Sequence, residues 1–278
     1  MSSVLFDVPG PRARRRHRIL SVVTIVAVVA FLALVLWRLA ETGQLASDKW
    51  EVFVTPAYIE FIAEGLYYTL LAAVIAIIGA LVFGMLFGIG KLSDHAWVRW
   101  PSWLVVEFFR AVPLYILITY LWALYKFQIE LLAPLVIGLI LYNGSVLAEI
   151  VRAGINAVPK GQVEAAYALG MRKSAVMRIV QLPQAIKIMT PSIISQCIVA
   201  LKDTSLGYII VAPGLTYAGR QIWREFDNHL QVALVLGAIY IILNLILEQL
   251  GRFAQRRLTE SRSTDARPQA EVPVLVAP

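Results

Sequence analysis

Leu70-Leu71-Ala72-Ala73-Val74-Ile75-Ala76-Ile77-Ile78-Gly79-Ala80-Leu81-Val82-Phe83-Gly84-Met85-Leu86-Phe87-Gly88-Ile89-Gly90 carries no charge and no hydroxyl or amide side chain. In hydrocarbon a backbone must satisfy its own N–H and C=O groups, so an uncharged run of about 20 residues reads as a membrane-spanning helix. Ala72, Ala76, Ala80, Gly84 and Gly88 recur every four residues along it. That spacing makes one ridge of small side chains, where a second backbone can approach closely. The ridge suits either the inner wall of a helix bundle or a general packing face; in both cases it faces protein.

Five more apolar stretches of similar length flank this one. The spans expected are roughly 19–40, 64–90, 103–125, 131–150, 190–212 and 230–250. With 59% hydrophobic and 15% charged residues, the 278-residue chain falls well outside soluble composition, where charge runs near a quarter. The fold class expected is an all-α integral membrane protein with about six transmembrane helices. With the N-terminus inside, eighteen of the twenty-five Lys and Arg residues lie on the inner side: Arg12 to Arg18, Lys91 and Arg99, Arg152 to Lys187, and Arg252 to Arg267. Arg38, Lys49, Lys126, Arg220 and Arg224 lie outside, and Arg110 and Lys202 fall within spans. The positive-inside rule therefore puts both termini in the cytoplasm.

The basic N-terminus (1–18) precedes an apolar run longer than a signal peptide's, with no clean cleavage site, so 19–40 reads as an uncleaved helix. Anionic lipid heads satisfy its arginines, so no nucleic-acid partner is implied. Cys197 excludes an intrachain disulfide, and His17, His95 and His229 are too scattered for a metal site. The segment 41–59 is expected outside the membrane. Hydrophobic periodicity fades from Thr259, and 253–278 is expected as a disordered cytoplasmic tail. Pro113, Pro134, Pro191 and Pro213 lie near or within spans, as kinks or as boundaries.

Between the fourth and fifth spans lies a polar, basic segment, 152–187. Val158-Pro159-Lys160-Gly161 breaks the arriving helix, Gln162 to Leu169 is a good helix former, and Gly170 suits a left-handed helix end. Met171 to Leu182 resumes until Pro183. The expected object is a short helix, a glycine turn and a second helix lying across the membrane surface. Ala165 and Ala166 would let a partner's groove close on it, and Glu164 is placed in the first turn, where the helix dipole favours a carboxylate.

Glu164-Ala165-Ala166, three residues, Gly170, nine residues, Val180, one residue and Leu182-Pro183 resemble the ATPase-docking loop of permease subunits in bacterial ABC importers, with valine in place of the usual isoleucine. Phe109-Arg110-Ala111-Val112-Pro113-Leu114 resembles a segment of the polar-amino-acid permeases, departing at Ala111-Val112. Ala148-Glu149-Ile150-Val151-Arg152-Ala153-Gly154-Ile155, Val158-Pro159-Lys160-Gly161-Gln162, Leu182-Pro183-Gln184-Ala185 and Leu201-Lys202-Asp203-Thr204-Ser205-Leu206 resemble the same subfamily. The chain is most similar to the actinobacterial glutamate-uptake permeases, including Asn143-Gly144-Ser145-Val146-Leu147.

The resemblance implies a five-helix permease core at 60–252, with 19–40 as an extra N-terminal helix. It implies docking through Glu164, Ala165, Ala166, Gly170, Leu182 and Pro183. The implied partners are ABC ATPase subunits, a second permease subunit, identical or similar, and an extracytoplasmic amino-acid-binding protein. No cofactor is implied on this chain; ATP and Mg belong to the partner ATPase. The substrate expected is glutamate, with glutamine or a basic amino acid as the alternative.

Charges within spans are the remaining candidates. Lys202 and Asp203 sit near the middle of the fifth span, where each costs roughly 2.5–3.5 kcal/mol in lipid, so both should face protein or water. With the hydroxyls of Thr204 and Ser205 they are candidates for a substrate path or gate, or for a structural lock. Glu107 with Arg110, and Glu149 with Arg152, are spaced to pair along one helix face. No phosphate loop is present: at Gly90-Lys91 the first glycine is replaced by Met85 and the Ser or Thr by Leu92. The histidines lie outside the spans and Asp203 is the one intramembrane aspartate, so neither a Ser–His nor a paired-Asp protease site is built. An ATP-independent channel or carrier is the more distant alternative.

Overall fold

Pro11 and Pro56 each open a helix, in a turn where the missing N–H has no intrahelical acceptor to lose. In the computed structural model, residues 10–125 and 132–260 are described. They form α1 (Pro11–Glu41), α2 (Pro56–Gly90), α3 (Ala96–Ala111), α4 (Leu114–Tyr125), α5 (Leu132–Asn156), α6 (Lys160–Ala168), α7 (Lys173–Ala175), α8 (Leu182–Asp203), α9 (Leu215–Phe226) and α10 (His229–Glu260). No strand occurs among the described residues. Among the described residues, five helical segments are long and apolar enough to cross a bilayer, or six if α3 and α4 count as one broken span.

The five-residue sequence ridge on α2 packs against α5. Ala72, Ala76 and Ala80 are fully buried, and Gly84 and Gly88 are buried with them. A Cβ on Gly88 would lie 2.7 Å from the carbonyl oxygen of Ala148, and one on Gly84 would lie 2.6 Å from Leu147 Cβ. Larger residues there would push the two backbones apart. Toward the middle of the bundle this pair closes on Ile118 of α4 and Leu135 and Leu139 of α5.

The third span does not run straight over 103–125. Its two helices meet at 101° around Val112-Pro113. Pro113 has no N–H to continue α3, and its ring holds Val112 extended, at φ −79° and ψ 124°. Pro134 lies in the first turn of α5, Pro191 inside α8, and Pro213 in the turn before α9.

The fifth span begins well before residue 190. A continuous helical course runs from Lys173 to Ile210. Its π-helical turn, Val176–Gln181, lies just before Leu182-Pro183. A wider turn gives the proline ring room beside the preceding carbonyls, which an α-helical register would crowd. Pro183 therefore does not end the helix, and no second helix lies free across the surface.

α1 has no buried residue. The short segment after it, residues 42–54, makes the attachment to the bundle. Gln44 and Lys49, at the end remote from α6, grip the α9–α10 turn. The Gln44 amide donates to the Asp227 carbonyl at 2.8 Å, and Lys49 Nζ donates to the carbonyls of Phe226 and Asp227, each at 3.0 Å. Asn228 returns a bond to the Lys49 carbonyl at 3.3 Å. These bonds cap α9, whose C-cap Asp227 sits at φ 49°. Val52 anchors the same segment in an apolar cluster with Leu215, Ile222, Val232 and Leu236. α10 continues to Glu260, so the helix takes in residues 253–260 of the expected tail; residues 261–278 lie outside those described.

Candidate functional site

α6 follows Pro159 and begins at Lys160, two residues before the expected start. Glu164 therefore sits in its second turn, not its first, and the helix dipole supports its carboxylate less than expected. Ala165 points outward while Ala166 is buried, so the two alanines do not share an exposed face. Glu164, Tyr167, Ala168 and Leu169 are exposed, Leu169 at 83%. α6 thus presents an uncovered ridge at the end of the bundle.

Gly170 ends that ridge at φ +76°. The Met171 N–H reaches the Ala166 carbonyl at 3.2 Å and the Gly170 N–H reaches Tyr167 at 2.9 Å. This is the bonding pattern of a Schellman end, in which a left-handed residue turns the chain back over the last turn. No atom lies within 4 Å of where a Gly170 Cβ would be. Glycine is required by the backbone, not by space.

Leu182 packs into an apolar cluster with Ala185 and Met189 of α8, Val151 and Ile155 of α5, and Met85 and Ile89 of α2, while Pro183 is exposed. Val163 of α6 and Met177 of the π turn touch the same cluster. α6 is thereby joined mechanically to three long helices. Lys173 adds a tie, donating to the Leu92 carbonyl at 3.4 Å and pairing with Asp94 in the α2–α3 turn. The Lys173 hydrogen bond holds the Asp94 carboxyl below the usual carboxylate range.

A second group of charges links α2, α3 and α5. Glu107 pairs with Arg110 at 3.4 Å and Glu149 with Arg152 at 2.9 Å, each three residues apart. Lys91 bridges them, reaching Glu107 at 3.0 Å and also Glu149, with only 6% of its side chain exposed. The sequence reading missed Lys91 because a lysine at the inner end of a span is also what the positive-inside rule supplies.

Lys202 and Asp203 stand at a structural junction, not midway along a helix. α8 ends at Asp203, Thr204–Ile210 winds as a 3₁₀ helix, and Val211 follows at φ 58°. Asn143 of α5, fully buried, donates to Asp203 at 3.3 Å and accepts from Gln196 at 2.6 Å. Lys202 is exposed and has no carboxylate partner among the described residues. The two charges do not pair with each other. Thr204 is buried, and its hydroxyl donates to the Leu201 carbonyl at 2.6 Å, which leaves only its acceptor lone pairs for a ligand; Ser205 stays half-buried. Asn143 and Gln196 were legible only as amides inside apolar spans.

Residues 80–260 match the family of binding-protein-dependent transport system inner membrane components. The chain belongs to this family. The glutamate transport system permease protein GluD of Corynebacterium glutamicum is 38% identical over 233 residues, covering 81% of this chain and 85% of that protein. The arginine transport system permease protein ArtQ of Bacillus subtilis is 34% identical, covering 72% and 93%. A crystal structure of an amino acid ABC transporter with histidines superposes with a TM-score of 0.67 at 28% identity, covering 72% of this chain and 95% of that one. The chain is an ABC amino-acid importer permease, embedded in the membrane. In such importers ATPase activity resides in separate subunits. Glutamine permeases are also similar, among them the probable GlnM of Bacillus subtilis at 31% identity.

Proposed function

We propose that this permease carries glutamate into the cytoplasm, driven by a separate ATPase that docks on α6. The observation that carries the substrate is the 38% identity to GluD across most of both chains. The site chemistry agrees with an amino acid. Lys202, without a carboxylate of its own, suits an anionic group, and Asp203, held from behind by Asn143, suits an ammonium. Ser205 supplies a hydroxyl beside them. A second permease subunit would close the path across these residues.

The exposed ridge Glu164–Leu169, ended by the Gly170 turn, is the proposed ATPase contact, with the Leu182 cluster passing its movement to α2, α5 and α8. Both termini and α6 then lie in the cytoplasm, where the excess of Lys and Arg belongs. An extracytoplasmic binding protein delivers the substrate to the opposite end. ATP and Mg bind the partner, not this chain.

The test is competition for uptake in vesicles containing the complete complex. Unlabelled glutamate should suppress labelled glutamate uptake at lower concentration than glutamine or arginine does. Stronger suppression by either of those would assign the permease to that substrate instead.

A further inference from the structure

Beside the Lys91 network, α3 and α5 leave an open cleft of about 410 Å³, lined by Arg99, Trp100, Trp103 and Arg152 next to the Lys91, Glu107 and Glu149 ion pairs. Its charges do not balance. Glu149 is engaged by Lys91 and Arg152, and Glu107 by Lys91 and Arg110. Arg99 donates only to carbonyls, those of Ser93 at 2.9 Å and Asp94 at 3.2 Å, while the neighbouring Asp94 carboxylate is matched by Lys173. Lys91, Arg99 and Arg152 therefore line the cleft against two carboxylates, an excess of one positive charge. Beside a low-dielectric bilayer such an excess favours an anion in the cleft.

The tryptophans decide which anion. Trp97, Trp100 and Trp103 recur every three residues on α3 and are 76%, 63% and 46% exposed. They lie within the first turns of a helix that starts where α2 ends. Indoles placed so, at the end of a span, occupy the headgroup level of a membrane. We propose that this cleft binds the phosphodiester of an anionic phospholipid from the leaflet at the α6 end. Arg99 and Arg152 meet the phosphate, Trp100 and Trp103 lie against the glycerol and upper acyl chains, and Lys91 sets the potential from behind. Guanidinium forks suit phosphate oxygens. Basic pockets between helices at this depth are the usual form of such sites. The lipid would then brace α3 against α5, next to the α2–α3 turn that Lys173 ties to α7.

The full-length chain in detergent, examined by native mass spectrometry with added dioleoyl phosphatidylglycerol, tests this. One phosphatidylglycerol per chain should be retained, and phosphatidylcholine should not. Arg99→Gln with Arg152→Gln should weaken retention by about twenty-five-fold, at about fivefold for each cation removed. Arg99→Lys with Arg152→Lys should fall between wild type and the Gln pair, keeping the charge but losing the guanidinium forks, and Arg252→Gln on α10 should stay near wild type. Glycerophosphoglycerol, the headgroup without acyl chains, should fail to displace the lipid at equal concentration; displacement would mark a soluble-anion site and overturn the lipid assignment. Wild-type retention by the double Gln variant would also overturn it. If that variant does not fold, the wild-type comparison decides: equal retention of the two lipids rejects the proposal.

Discussion

Replacing Gly170 by valine isolates the α6 turn from everything else. The glycine sits at φ +76°, where a β-branched residue clashes with its own backbone, yet nothing lies within 4 Å of the added Cβ. The cost is therefore backbone strain alone, about 1–2 kcal/mol for a residue forced into the left-handed region. That is about a 5- to 30-fold fall in the population of the turn. α6 has only nine residues and depends on this end to hold its ridge in place. Insertion and thermal stability of the long helices should change little. ATP-driven uptake in vesicles containing the complex should fall by at least fivefold. Gly170→Asn should retain most activity, since asparagine tolerates the left-handed region. Gly161→Val supplies a control, because Gly161 is equally uncrowded but lies in ordinary helical backbone. Undiminished uptake by Gly170→Val would refute the reasoning, as would an equal loss in Gly161→Val.

Truncation before Gly43, which puts the new N-terminus on the side opposite α6, should preserve transport; cutting at Trp50 removes Gln44 and Lys49 and should lower thermal stability, since the α9 carbonyls lose their donors. Lys91→Met removes the cation that Glu149 and Glu107 share but leaves Arg152 and Arg110 on them, so it should destabilise the chain by about 1–3 kcal/mol, read as a fall in melting temperature. Asp203→Asn should fold normally, because its amide oxygen can still accept from Asn143, and should lose uptake; retained uptake would remove Asp203 from the path. The Asp94 carboxyl is depressed in the folded state, so its tie to Lys173 contributes fully above the ordinary carboxylate pKa of about 3.9 and is lost as pH falls through the lower folded value. Difference melts of wild type and Asp94→Asn should therefore be flat from pH 6 to 8; a slope there would contradict this assignment.

The membrane fold was legible because its evidence is local. Uncharged runs of span length and the Ala72–Gly88 ridge depend on composition and helical spacing, and both survive in the bundle. The lengths of α3 and α8 were not legible. Whether Pro113 breaks a span and Pro183 does not depends on the carbonyls around each ring and on the π turn, which tertiary packing selects. The two i,i+3 ion pairs were readable from spacing, but Lys91 joins them across three helices, a contact no local pattern encodes. Asp203 was found by the cost of burying its charge; its support by Asn143 and Gln196 is likewise long-range. The bond of Thr204 to the Leu201 carbonyl was not legible, because a hydroxyl in an apolar helix is as readily taken by its own backbone as offered to a ligand.

The most direct test of the account is glutamate accumulation in vesicles without ion gradients, holding this permease with its ATPase and binding protein. Accumulation should require hydrolysable ATP and all partners, and vesicles holding this chain alone should stay inactive. Glutamate flux through the chain alone would contradict the account and make it a carrier or channel.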